Sequence, residues 1–166
     1  MAARLWPMMR SLNEISCLVA KAARGAGLAV GVAEDLAEAL PGCCADQEVS
    51  EALAVLADHL AGPDRLASVI AALDVVEAGG EPVVLEFPLD PVIAALIRQR
   101  GTIVWRAVPS GLSLAVEDCP PLPRPKPQNV LAEVWGPLER FAAQTYVPAT
   151  EASRIAGAGA GLSDND

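Results

Sequence analysis

Ser11–Gly27 reads SLNEISCLVAKAARGAG, and it sets the frame for the rest of the chain. Ser11 stands three residues before Glu14, the spacing at which a hydroxyl and a carboxylate satisfy each other's backbone donors at a helix start. Ile15, Leu18, Val19 and Ala22 recur at helical spacing and share one face. Lys21 and Arg24 fall in the last turn, where positive charge suits the helix dipole, and Gly25 is placed to stop it. Cap, stripe, charge and stop agree, so a helix is expected here.

Three more helical patterns follow. AVGVAEDLAEALPG carries Val32, Leu36 and Leu40 on one side and Glu34, Asp35 and Glu38 on the other, and should end near Pro41. ADQEVSEALAVLADHLAG has Asp46 as a cap and Val49, Ala52, Leu53, Leu56 and Leu60 on one face. GPDRLASVIAALDVVEAGG places Pro63 at a first helical position, with Leu66, Val69, Ile70 and Leu73 inward and Gly79-Gly80 as the stop.

The pattern then changes period. Pro82–Phe87 is short, β-branched and bounded by prolines, which predicts a strand. DPVIAALIRQRG predicts a short helix capped by Asp90 with Pro91 first in it. TIVWRA and LSLAVE flank VPSG, turn chemistry that joins two strands as an antiparallel hairpin. Asp118–Asn129 holds five prolines in twelve residues and is expected to be a polyproline spacer. From Gln128 a helical period resumes through Val130, Val134, Leu138 and Phe141, and Pro137 should kink it or start a new helix. The expected fold class is α+β: a helical N-terminal half, a small three-stranded and mostly antiparallel sheet, and a C-terminal helix with a glycine-rich tail. The expected organisation is 1–117 as a helical plus small-sheet domain, 118–129 as spacer, and 130–166 packing back on the same domain.

Composition narrows the partners. Of 166 residues, 52% are hydrophobic but only 4% aromatic, so the core must be built from Ala, Val, Leu and Ile. The net charge of −9 opposes nucleic acid, whose binding requires Lys and Arg to displace counterions, and opposes anionic membranes. No apolar run approaches the roughly 18 residues of a membrane span, and Pro7 breaks the short apolar start, so a cytoplasmic protein is expected. Cys17, Cys43, Cys44 and Cys119 form no C-x-x-C pair, and the chain has one histidine, so no metal site is expected. Reduced, partly buried thiols are the simple reading.

The last stretch, SRIAGAGAGLSDND, alternates Gly157, Gly159 and Gly161 with alanines. It lacks the lysine of a phosphate-binding loop and the sixth-position glycine of a dinucleotide fingerprint. An anion nest beside Arg154, a hard-cation site at Asp164, Asn165 and Asp166, and a loose end are weaker readings than docking. SLNEISCLVAKAARGAGLAVGVAEDLAEAL and TYVPATEASRIAGAGAGLSDND resemble two blocks of the domain of unknown function 3726 family, found mainly in proteobacteria. That resemblance covers about 50 residues at the two ends and implies that 157–166 is a built feature; it implies no reaction. Glycines without Cβ can pass a narrow groove and an acceptor-rich end can be held there. The candidate binding residues are therefore Lys21, Arg24, Arg154, Gly157, Gly159, Gly161, Asp164, Asn165 and Asp166.

The function expected is that of a non-catalytic accessory or subunit protein docking through this tail to another subunit or to itself, with no cofactor. The alternative is a small enzyme or binder of an anionic small molecule at Lys21, Arg24 and Arg154, and the residues leave catalysis open. Cys17 lies one turn from Lys21, which could activate its thiol, but its apolar neighbours argue for burial. His59 is read as structural, Ser110 as a turn residue, Glu34, Asp35 and Glu38 as a solvated face, and Trp105 as packing on the sheet.

Overall fold

The computed structural model describes residues 7–42, 46–117 and 126–145. Its elements are β1 (Pro7–Arg10), α1 (Leu12–Gly25), α2 (Val30–Ala39) with a 3-10 turn at Leu40–Gly42, α3 (Asp46–Leu60) and α4 (Asp64–Glu77). Then come β2 (Val83–Leu85), α5 (Pro91–Arg100), β3 (Ile103–Val108), β4 (Gly111–Val116), β5 (Gln128–Leu131) and α6 (Ala132–Ala143). The fold is α+β, with helices dominant and two small antiparallel sheets.

The stripes that predicted α1, α3 and α4 are the core. Ile15, Leu18, Val19 and Ala22, then Val49, Ala52, Leu53, Leu56 and Leu60, then Leu66, Val69, Ile70 and Leu73 are all buried. In α2 the stripe shifts by a residue: Val32 is half-buried while Ala33, Leu36, Ala37 and Leu40 are buried. The Ser11–Glu14 capping box forms, with Glu14 N–H donating to Ser11 Oγ at 3.2 Å and Ser11 N–H to Glu14 Oε2 at 2.9 Å.

The stop of α1 is displaced from the expected glycine. Gly25 is the last helical residue, and Gly27, at φ +91°, takes the left-handed position. Leu28 N–H then reaches Ala23 O at 3.1 Å and Gly27 N–H reaches Arg24 O at 3.0 Å, which closes the helix in a Schellman turn. Gly25 serves packing instead. A Cβ there would collide with the carbonyl oxygen of Phe141, so the backbones of α1 and α6 meet at this point.

The helix expected from Gln128 is corrected at its start. Gln128–Leu131 is strand β5, paired antiparallel with β1 in the register Pro7↔Leu131 to Arg10↔Gln128. Ser50 of α3 braces it: its hydroxyl accepts from Leu131 N–H at 3.3 Å and donates to Asn129 O at 3.5 Å. A strand pairing across most of the chain leaves no local signal, and Val130 fits either period. Past it, Ala132–Ala143 is one helix with Pro137 inside it, so no new helix starts at the proline.

The second sheet has order β2-β4-β3, antiparallel throughout, and the predicted hairpin turns at Pro109-Ser110. Leu85, Ile103, Leu112 and Leu114 face the core. Trp105 shares that face, opposite Leu114, but on the edge strand β3, and is 43% exposed. It borders a second groove of about 430 Å³ with Phe87, Pro88 and Leu89. Most of the expected spacer and all of the tail lie outside the described residues.

Candidate functional site

Helices α1 and α6 part along one side to leave a groove of about 400 Å³. Glu14, Cys17, Leu18 and Lys21 line it from α1, and Trp135, Glu139, Ala142 and Ala143 from α6. The spacing of the α1 residues follows from the helix: 14, 17, 18 and 21 repeat at three and four, so they share one flank. Leu18, Ala142 and Trp135 are buried at its base. Lys21 and Cys17 are exposed on its wall.

One end of the groove is held by a chain of polar contacts. The Arg10 guanidinium lies 4.5 Å from the centre of the Trp135 ring and donates to Glu14 Oε1 at 3.0 Å. Trp135 Nε1 donates to Glu139 Oε1 at 3.1 Å. The backbone N–H of Ser11 holds the Glu14 carboxyl below its ordinary range, with the Ser11 hydroxyl and Arg10 acting the same way. Glu14 thus has both oxygens engaged, while Glu139 Oε2 and Lys21 Nζ have no hydrogen-bond partner among the described residues.

Of the predicted binding residues, the structure places Lys21 in the groove. Arg24 is exposed one turn further along α1, outside the lining. Arg154, Gly157, Gly159, Gly161, Asp164, Asn165 and Asp166 lie outside the described residues. The expected burial of Cys17 is overturned: it projects outward, its Sγ 3.8 Å from Asn13 Oδ1. Residue 17 sits between the inward positions 15, 18 and 19, and a helix turns it just past the edge of the apolar stripe. Cys43, Cys44 and Cys119 lie outside the described residues.

Two charged clusters escaped the sequence reading, and both tie down α5. At its start, Asp90 Oδ1 accepts from Val92 and Ile93 N–H at 3.0 Å each, the predicted cap. Its other oxygen lies 2.9 Å from Nε2 of the buried His59 and 3.3 Å from Arg65. Arg65 also stacks 4.3 Å over Phe87 and donates to Pro88 O at 3.1 Å. Burial pushes the Asp90 carboxyl up, but the His59 hydrogen bond, the Ile93 N–H and the charges of His59 and Arg65 outweigh it and leave the group below its ordinary range.

At the other end of α5, Arg100 gathers three carboxylates: Asp35 at 3.1 Å, Asp74 at 2.8 Å and Glu77 at 2.9 Å. Gln99 donates to Glu38 at 3.0 Å. The face expected to be solvated is therefore divided: Asp35 and Glu38 dock on α5, and Glu34 is exposed. Burial raises the Asp35 carboxyl above its ordinary range despite Arg100, with Asp74, Glu38 and Glu34 adding to the rise. The lone histidine and the cap aspartate were visible in the sequence; their meeting across 31 residues was not.

Among the described residues no group of three or more His, Cys, Asp or Glu side chains is placed to hold a metal ion, and no helix is long and apolar enough to cross a membrane. No curated protein and no solved structure matches the chain. A family model described as a protein of unknown function (DUF3726) matches residues 10–41, the first of the two blocks that carry the resemblance. That stretch runs from the end of β1 through α1 and α2 and contains every groove residue that α1 contributes. Over those residues, and with the wall of the α1–α6 groove inside the match, the chain is similar to the DUF3726 family.

Proposed function

We propose that the protein is a non-catalytic accessory or subunit protein that docks through its C-terminal segment, with the α1 block and its Lys21 and Arg24 as part of the docking surface. The observation that carries this reading is the α1–α6 groove. It lies on the helix inside the family match, and the C-terminal end of α6, at Ala142 and Ala143, lines it. The partner is another protein subunit or a second copy.

The groove's electrostatics favour this over the alternative. An anionic small molecule at Lys21 would face the Glu139 carboxylate in the same groove, Glu14 being paired with Arg10. A carboxylate set against one ammonium makes a poor anion site but suits a polypeptide, which brings both signs of charge and backbone groups.

The test compares the full chain with one ending at Thr150. Docking predicts a complex, by affinity capture from native lysate or by light scattering of the pure protein, that the full chain forms and the shorter chain does not. Equal capture and equal mass for both forms would overturn it. A rise in melting temperature with inorganic phosphate or small carboxylates, lost in Lys21→Ala, would favour the anion binder instead.

A further inference from the structure

We infer that residues 151–154, Glu-Ala-Ser-Arg, seat in the α1–α6 groove of their own chain, with Glu151 at Lys21 and Arg154 at Glu139, so that the glycine segment beyond is anchored at its base. This rests on the reading of the tail as the docking element and adds where that element is held.

Reach comes first. Thr145 is the last described residue, and its hydroxyl bonds Ala142 O at 2.7 Å, so the chain leaves α6 beside Ala142 and Ala143, two of the groove's own lining residues. Glu151 lies six positions beyond Thr145, a reach of roughly 20 Å when extended, which is ample to turn back onto α6.

Charge sets the register. Lys21 stands on the α1 wall and Glu139 on the α6 wall. Glu151 and Arg154 are three residues apart and span up to about 10 Å, close to the 8–10 Å that typically separates packed helix axes. Opposite charges on the two walls meet opposite charges on the segment, and the reverse orientation would pair like with like. Ala152 and Ser153 between them are small, as a shallow groove over Leu18 and Ala142 requires. Cys17, on the same wall, lies beneath the seated segment and reports on it.

The test measures how fast Cys17 of the full-length protein reacts with a neutral alkylating reagent, resolved by peptide mass spectrometry so that no other cysteine need be changed. Arg154→Glu should speed the reaction about fivefold, the scale set by replacing an exposed ion pair with a repulsion, and Arg154→Glu with Glu139→Arg should restore protection. The sign separates uncovering from a through-space effect, because a new negative charge near an unmoved thiol disfavours the thiolate and slows it. An unchanged or slower rate in Arg154→Glu, or no restoration in the double variant, would overturn the seat. Protection that disappears on dilution would overturn it too, assigning the seat to a second copy's segment.

The two readings fail separately. A complex lost on ending the chain at Thr150, with Cys17 equally reactive in the parent and Arg154→Glu, sinks the seat and leaves docking standing. Restored protection in the double variant with no complex formed supports the seat and sinks the docking.

Discussion

Helix α5 and the α1–α6 groove use charge in opposite ways. At α5, polar groups meet each other: Asp90 is shared by two backbone donors, His59 and Arg65, and Arg100 by three carboxylates. Along the groove, Lys21 and one oxygen of Glu139 face open space among the described residues. The first arrangement converts charge into the placement of helices; the second leaves it available to something that arrives. Substitutions at α5 should therefore cost stability, and substitutions at the groove wall should not.

The largest effect belongs to the seam between the groove's two helices. Gly25→Ala drives a Cβ into the Phe141 carbonyl, and α1 and α6 must separate. We expect a loss of about 3 kcal/mol and a fall in melting temperature of roughly 10 °C. A melt within a degree of the parent would show that the helices can shift freely.

Next comes Arg100→Met, which strands the partly buried Asp35 carboxylate while Asp74 and Glu77 turn to solvent. About 2 kcal/mol should be lost in urea unfolding. Asp90→Ala should cost about 1–2 kcal/mol through the missing cap, and Asp90→Asn less, because an amide oxygen still accepts from Val92 and Ile93.

Acid titration separates the two ends of α5. The folded Asp90 carboxyl lies below its ordinary value of 3.8, so its contribution is full above that value and is lost as pH falls through the folded one. Asp35 lies above 3.8 in the fold, so its ionised form works against folding, and protonating it as pH falls toward 3.8 stabilises. Asp90→Asn should flatten the acid limb of the stability curve, and Asp35→Asn should remove the gain that precedes it. Identical curves for both variants would contradict the assignment.

The smallest effects lie at the groove wall. Lys21→Ala and Arg24→Ala should change stability by no more than about 0.5 kcal/mol, even where they weaken docking. A large loss at Lys21 would erase the contrast with α5.

The sequence alone determined α1, α3, α4 and α5, the buried faces of the first three, the Ser11 and Asp90 caps and the β3–β4 hairpin, because each depends on residues within a few positions of one another. Local pattern also singled out Lys21 as a binding candidate. Only the tertiary structure decided that Gln128–Leu131 leaves the helical pattern to pair with Pro7–Arg10, since a ladder's register belongs to both strands. Only packing assigned Gly25 to a helix crossing and Gly27 to the stop, because a close approach is a property of two backbones. The joining of His59 to Asp90, the gathering of carboxylates on Arg100 and the groove that Lys21 and Glu139 both line likewise depend on separate elements, fixed when the core brought them together.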